Sequence, residues 1–332
     1  MTDIIFHIGF AKCASTTLQK AVFPSDPGYL GTDPKTGKEI KSRINYAELF
    51  QNLSPIGVKI AGNFKQAEKW KHAVLEYKKR HAPHLNRLIV SSEFFTQKNK
   101  LRDRPMIQFL KRFNEDIWDS GSVKIVLVIR NQAEKIISTY AQDSNTKPHA
   151  SQADFDEYVP RYLKKQGALM DYSIWIEELQ DAFGKDRVQV LLMEDIGEIE
   201  FWSKLKSFCD LKEFEPESML DTDGDNVKRI GKNRWSIQPF DSEFKANVWS
   251  HNLLRLVWPH HVKKGLRESA RQSLIKMFAN YYESNYYSSN TESREGQISL
   301  TDGLQEQIKT YYSYSNRRLS EMLDRDLSKL GY

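Results

Sequence analysis

Residues 3–22 read DIIFHIGFAKCASTTLQKAV, and the fold class follows from this stretch. Ile4, Phe6 and Ile8 stand among apolar neighbours, as in a strand buried on both faces of a parallel sheet. Gly9 breaks the strand, and Ser15, Thr16 and Thr17 fall where a helix begins. A helix start presents unpaired backbone N–H groups at the positive end of a dipole. With three hydroxyls and Lys12 in the same turn, the segment reads as an anion site suited to phosphate. A plain Ser/Thr N-cap beside a solvated lysine would carry the same letters.

The loop of nucleotide kinases and ATPases runs G-x-x-x-x-G-K-[ST], with the hydroxyl residue directly after the lysine. Here Lys12 is followed by Cys13, and Ser15 comes three residues later. The hydroxyl that holds magnesium in those enzymes is therefore out of place. The loop fits a nucleotide bound without metal-assisted phosphoryl transfer.

A second stretch, Val123 to Gln142, reads VKIVLVIRNQAEKIISTYAQ. Val123 to Ile129 is a β-branched, buried-strand run, and a helical pattern follows from Ala133 through Ile136, Ile137 and Tyr140. Arg130 stands at the strand end, with Ser138 about two helical turns further on. An arginine fork with a hydroxyl suits a terminal phosphate. An arginine closing a structural ion pair, with a serine on a solvated helix face, is the other reading.

These residues carry a resemblance. Lys12-Cys-Ala-Ser-Thr-Thr-Leu18 resembles the K-[TS]-G-[TS]-T-x-L loop of PAPS-dependent sulfotransferases, which grips the 5′-phosphosulfate. Arg130-Asn131 with Ser138 and Tyr140 is similar to that family's R-[NR]-x6-S-x-[YF] signature, which grips the 3′-phosphate. A third stretch, Asp171 to Ile196, reads DYSIWIEELQDAFGKDRVQVLLMEDI. It resembles the family's tyrosine, tryptophan and strand ending in Glu-Asp/Asn-Leu near the nucleotide. The opening HIG and the pair Leu18-Gln19 most resemble the bacterial, glycan-directed branch.

The resemblance implies an α/β fold: a P-loop-like, three-layer arrangement with a central parallel sheet flanked by helices, plus a helical C-terminal part. It also implies sulfuryl transfer from 3′-phosphoadenosine 5′-phosphosulfate (PAPS) to an acceptor hydroxyl, releasing 3′-phosphoadenosine 5′-phosphate (PAP). The acceptor expected is a glycan or another hydroxyl-bearing molecule. On this reading Lys12 stabilises the departing bridging oxygen. Cys13, Ala14, Ser15, Thr16 and Thr17 surround the 5′-phosphate, and Arg130 and Ser138 hold the 3′-phosphate. Glu93 closes the strand LIVSSE, where carboxyl ends of parallel strands face the ligand crevice, and is the candidate base. No metal enters this scheme. A kinase using ATP and a catalytically silent nucleotide-binding module are the alternatives.

The sequence also departs from the family. The loop glycine is Ala14, whose backbone must avoid positive φ or bear strain. Gln132 stands where proline follows the arginine pair. The family's R-K-G-x-x-G element has its nearest counterpart in Asn226 to Lys232, which offers Lys228 and Arg229. Glu194, at the end of its strand, either orders the donor site or caps the next helix. His7 reads as a satisfied core histidine, and the clusters of Tyr281, Tyr282, Tyr286, Tyr287, Tyr311, Tyr312 and Tyr314 read mainly as core, with stacking on sugars the other reading.

The 332 residues fit one elaborated α/β domain, expected as a nucleotide-binding core over 1–215 and a loop or lid with mainly helical structure over 216–332. With 39% hydrophobic and 28% charged residues and no long apolar run, no integral membrane segment is expected. Cys13 and Cys209 are the only cysteines, so neither a disulfide framework nor a clustered metal site is expected, and a cytoplasmic location follows. A net charge of +5 suits an anionic nucleotide but is far from a nucleic-acid binder's footprint.

Further elements follow from periodicity. Helices are expected at Thr17 to Phe23, Gln66 to Arg80, Asp103 to Glu115, Phe155 to Lys165, Ser173 to Phe183, Trp202 to Cys209 and from Phe244 onward. Strands are expected at Ile56 to Ala61, Leu88 to Ser92 and Val188 to Met193, and a mobile loop at Asp221 to Gly231.

Overall fold

The computed structural model describes residues 1–30, 68, 71–72, 74–76, 78–80, 83–92, 105–119, 121–220, 229–231, 234–257, 264–284 and 296–332. The strand expected at Ile56 to Ala61, most of the Asp221 to Gly231 loop and parts of the Gln66 to Arg80 helix lie outside them. The chain gathers into two units, one comprising Met1–Lys135, Lys165–Asp225 and Ile308–Tyr332, the other Ile136–Lys164 and Asn226–Gln307.

The first unit is built on a four-stranded parallel sheet of β1 (Asp3–Gly9), β2 (Arg87–Ser92), β3 (Val123–Ile129) and β4 (Val188–Leu192) in the order β2-β1-β3-β4. β1 and β3 form the ladder Ile4↔Val123 to Gly9↔Val128 and are almost wholly buried, as their unbroken apolar runs dictate. From β1 the chain passes to β2 on one side and then to β3 on the other. The crevice at the carboxyl ends of β1 and β3 is thus a topological switch point, where open α/β sheets bind ligands.

The first helical turn, α1 (Ser15–Thr17), widens into a π turn over Leu18–Val22. A 3₁₀ turn, Phe23–Ser25, then takes in Pro24, so the helical stretch ends beyond the proline rather than at it. α2 (Pro105–Arg112) is followed by α3 (Gln132–Asp143), which leaves β3 and continues into the second unit, and by α4 (Gln152–Gln166). α5 (Tyr172–Phe183) lies against β3 and β4, and α6 (Ile199–Cys209) against β4. α5 starts where Asp171 accepts the Ile174 N–H, and stops where Gly184 takes φ 91, a conformation that favours glycine.

Arg87 ties several of these pieces together. Its guanidinium bonds the Asp26 carboxylate at 2.5 Å and the Cys209 carbonyl at 2.6 Å, and also reaches the carbonyl of Asp210 at the end of α6. Both side chains of the Arg87–Asp26 pair are 6% exposed, and the Asp210 carboxylate stands further off, 3.8 Å from Arg87 Nε.

The second unit holds α7 (Ser242–Val257) packed on α8 (Lys264–Tyr282) and a three-stranded antiparallel sheet. Its strands are β5 (Arg229–Gly231), β6 (Arg234–Ile237) and β7 (Gly296–Ser299), in that order, with Trp235 opposite Ile298. The Gln152 side chain extends the sheet, accepting the Ser299 N–H at 2.7 Å and donating to its carbonyl at 3.1 Å. This sheet is an addition to the helical C-terminal part expected from the sequence. Three- and four-residue strands such as RIG and GQIS are too short to show a period of two. The last helix, α9 (Asp302–Leu323), runs back into the first unit and leads to a 3₁₀ turn at Leu327–Leu330.

The Arg87 cluster gives the first prediction. Asp26→Ala strands a buried guanidinium and should cost about 3–5 kcal/mol in urea unfolding. Arg161→Ala, which removes an exposed pair with Asp154, should cost less than about 1 kcal/mol.

Candidate functional site

β1 ends at Gly9 because nothing larger fits. A Cβ there would stand 2.2 Å from Ser15 Oγ and 3.3 Å from His7 Cε1. In the loop that follows, Lys12 and Ala14 both hold left-handed backbone, with φ 68 and 56. Ala14 thus answers the question raised by its missing glycine: it keeps the conformation a glycine would adopt and bears the strain, about 1–2 kcal/mol. Handedness that changes along a loop turns successive N–H groups toward one side, the geometry of an anion nest. Cys13 is buried between the two, its N–H bonded to the Phe10 carbonyl at 3.2 Å.

Ser15 is buried and donates to the Phe10 carbonyl at 3.4 Å, whereas Thr16 is exposed and Thr17 half-buried. The two threonines therefore present the accessible hydroxyls. Phe10 anchors the loop from below. It meets Tyr172 and Trp175 edge-on at 5.2 and 5.5 Å between centroids, and Lys135 Nζ lies 4.7 Å from its ring. The tyrosine and tryptophan of the third sequence stretch thus support the Lys12 loop directly.

Arg130 leaves β3 beside this loop. One arm of its guanidinium donates to the Lys12 carbonyl at 3.4 Å, and the other bonds Glu134, one helical turn on, at 2.9 Å. Arg130 thus closes an ion pair and also stands beside the loop. Next to it, the Asn131 N–H donates to Glu194 Oε1 at 2.7 Å, so Glu194 orders this turn rather than capping α6. Burial pushes the Glu194 carboxyl upward, against the pull of the Asn131 N–H, the Tyr332 hydroxyl and Arg130. Gln132 replaces the expected proline with a tie, donating to Asn316 Oδ1 at 2.7 Å and to the Met170 carbonyl at 3.4 Å.

Lys12, Cys13, Ala14, Ser15, Thr16, Thr17 and Arg130 come together in the first unit. Ser138 is half-buried on α3, and Arg229 lies on β5; both belong to the second unit. Glu93 and Lys228 lie outside the described residues. Of the tyrosines, Tyr312 is buried, but Tyr281, Tyr311 and Tyr314 are 49–69% exposed, which corrects the core reading for those three. Among the described residues no cluster of three or more His, Cys, Asp or Glu is placed to hold a metal, and no helix is long and apolar enough to cross a membrane.

Residues 3–222 match the family described as the sulfotransferase domain. The chain belongs to the sulfotransferase family. The match takes in the Lys12 loop, Arg130, the Phe10 cluster and Glu194. Among solved structures, the sulfotransferase from Alicyclobacillus acidocaldarius shares 14% identity over 98% of this chain and 97% of its own, with a TM-score of 0.50. That likeness supports the sulfotransferase fold of the whole chain. The sulfotransferase domain from the Synechococcus PCC 7002 olefin synthase matches at 13% identity, over 84% of this chain and 94% of its own, with a TM-score of 0.38. No curated protein sequence matches.

Glu134 was legible as an i,i+4 partner of Arg130 and was missed. Tyr332, which reaches Glu194 across 138 positions of sequence, had no local signal at all.

His7 lies beneath the sulfotransferase loop, fully buried, its Nδ1 2.7 Å from Ser91 Oγ. Gln19 donates to the same Oγ at 3.0 Å. Nε2 has no hydrogen-bond partner among the described residues, so the histidine is only half satisfied. Burial lowers its pKa to about 3, against 6.5 for an exposed histidine. The folded protein thus stays neutral there while the unfolded chain takes up a proton. His7's contribution should be fully present above about pH 6.5 and lost progressively toward pH 3. Urea titrations across that range should show a shallower pH slope for His7→Gln than for wild type, by about one proton.

Proposed function

We propose that this sulfotransferase moves the sulfuryl group from PAPS to a hydroxyl on a carbohydrate or glycan and releases PAP. One observation carries the reading. Arg130, at the end of β3, donates to the carbonyl of Lys12 in the loop after the neighbouring strand β1. Two groups suited to two phosphates of one nucleotide thereby converge at the switch point of a parallel sheet. The N–H groups of Ala14 and Ser15 and the hydroxyls of Thr16 and Thr17 would bind the 5′-phosphosulfate. Arg130, Ser138, Lys228 and Arg229 would serve the 3′-phosphate side.

In the reaction the acceptor oxygen attacks sulfur while the bond from sulfur to the bridging oxygen breaks. Lys12 meets the charge that grows on that oxygen, and Glu93 takes the acceptor's proton. The loop has Cys13, not a hydroxyl, after the lysine, so it offers no magnesium ligand where the kinase loop does. The glycan acceptor is supported by the likeness of HIG and Leu18-Gln19 to the bacterial branch that modifies glycans.

Arg130 enters binding already paired with Glu134, so a 3′-phosphate would displace or share that partner. A charge-assisted bidentate contact is worth about 1.5–3 kcal/mol. Calorimetry should therefore show adenosine 3′,5′-bisphosphate binding about tenfold or more tighter than adenosine 5′-monophosphate. Arg130→Ala should erase most of that preference, and Glu134→Gln should increase it. Equal affinity of the wild type for both nucleotides would overturn the assignment.

Turnover separates the other two roles. With PAPS and a panel of sugars, sulfated product being read by mass spectrometry, Lys12→Ala should slow transfer to every acceptor. Glu93→Gln should cost about 10²–10⁴-fold in rate yet bind bisphosphate normally. Near-normal turnover in Glu93→Gln would move the base elsewhere.

A further inference from the structure

Asn131 directly precedes α3 and caps it, its Oδ1 accepting the Glu134 N–H at 3.1 Å. In a capping box the carboxylate three residues on returns to the N–H of the capping residue. Here Glu134 turns instead to Arg130, and the Asn131 N–H goes to Glu194 Oε1 at 2.7 Å. The second oxygen of Glu194 accepts the hydroxyl of Tyr332 at 3.0 Å. A carboxylate from beyond β4 thus completes the cap, and a tyrosine far along the chain completes the carboxylate.

The turn that delivers Tyr332 docks on the same asparagine. Asn131 Nδ2 donates to the Leu330 carbonyl at 3.3 Å. Gly331 holds φ 84, and a Cβ on it would lie 3.0 Å from Asn131 Nδ2. The Tyr332 N–H returns to the Leu327 carbonyl at 3.2 Å, and the residue is 8% exposed. All these residues belong to the first unit.

We propose that Tyr332 is a positioning residue for recognition of the donor's 3′-phosphate, acting through Glu194 and Asn131 on Arg130. The proposal rests on the donor reading above. Glu194 stands close enough to Arg130 to feel its charge. One oxygen of the carboxylate is held by the Asn131 N–H and the other by the tyrosine hydroxyl. Without the hydroxyl, a partly buried oxygen loses its partner, and Arg130, whose charge already acts on Glu194, would supply one. The arginine would then be drawn off the Lys12 loop, and the turn at Asn131 would lose its second anchor.

The test is the ratio of affinities for adenosine 3′,5′-bisphosphate and adenosine 5′-monophosphate, measured by calorimetry beside thermal unfolding. Tyr332→Phe keeps the ring and removes the hydroxyl. It should weaken bisphosphate binding about tenfold and leave the monophosphate within about twofold. Gly331→Ala, which forces a Cβ against Asn131, should lower the ratio in the same direction. Glu194→Gln can still accept from Asn131 and donate to the tyrosine oxygen, so it should retain most of the wild-type ratio. An unchanged ratio in Tyr332→Phe, whatever happens to its melting temperature, overturns the proposal, as does equal loss of both ligands. A wild type without preference overturns the donor reading itself and takes this proposal with it.

Discussion

The pairing of β1 with β3 is the constraint on which the site depends. Both strands are apolar along almost their whole length, so they can only lie inside the sheet, with helices to cover them. Their register puts Gly9 opposite Val128. That pair ends the ladder two residues short of Arg130, and in the loop that follows β1 the Lys12 carbonyl comes within reach of the guanidinium. A slip of one residue would turn every side chain of β3 to the other face and separate the two motifs. The chemistry at the crevice is therefore set by a register that the core, not the site, enforces.

Strain in the first unit is concentrated next to that ladder. Of the four residues other than glycine with positive φ among those described, two are Lys12 and Ala14. Left-handed backbone at such residues persists only where surrounding structure over-determines it. Here Gly9 admits Ser15 Oγ, Cys13 is buried, and Phe10 is wedged against Tyr172, Trp175 and Lys135. Rigid aromatic packing holds a loop that would relax if left to its own preferences.

What could be read from the sequence follows the range of the interactions. β1 and β3 announce themselves, because strands buried on both faces need uninterrupted apolar runs, whereas the edge strand β4 keeps enough apolar residues around Gln189 to be read as well. The helix after β3 and the helix from Tyr172 to Phe183 also stand out, since their apolar residues recur at helical spacing. The loop lysine and hydroxyls and Arg130 were visible for the same local reason. β5, β6 and β7 were not, because strands of three or four residues carry one or two apolar side chains and no period. Glu134 was within reach of an i,i+4 reading, the ion pair left open for Arg130 lacking only its partner's name. The contacts of Asn131 with Leu330 and of Glu194 with Tyr332 span 199 and 138 positions, and no sequence pattern encodes such meetings.

The acids around Arg130 make chemical sense on the proposed reading. Donor and spent nucleotide carry the same 3′-phosphate, so tight binding at Arg130 is uniform binding, which lowers KM without speeding the chemical step. With Glu134 paired to Arg130, a 3′-phosphate entering the site exchanges one ion pair for another, so the net gain is smaller than the bare attraction. When the product leaves, the guanidinium returns to a partner one helical turn away instead of facing the cost of standing uncompensated. Recognition is then carried by the planar fork of Arg130, which a 3′-phosphate can engage through two bonds, while Glu134 limits how tightly the spent nucleotide is held.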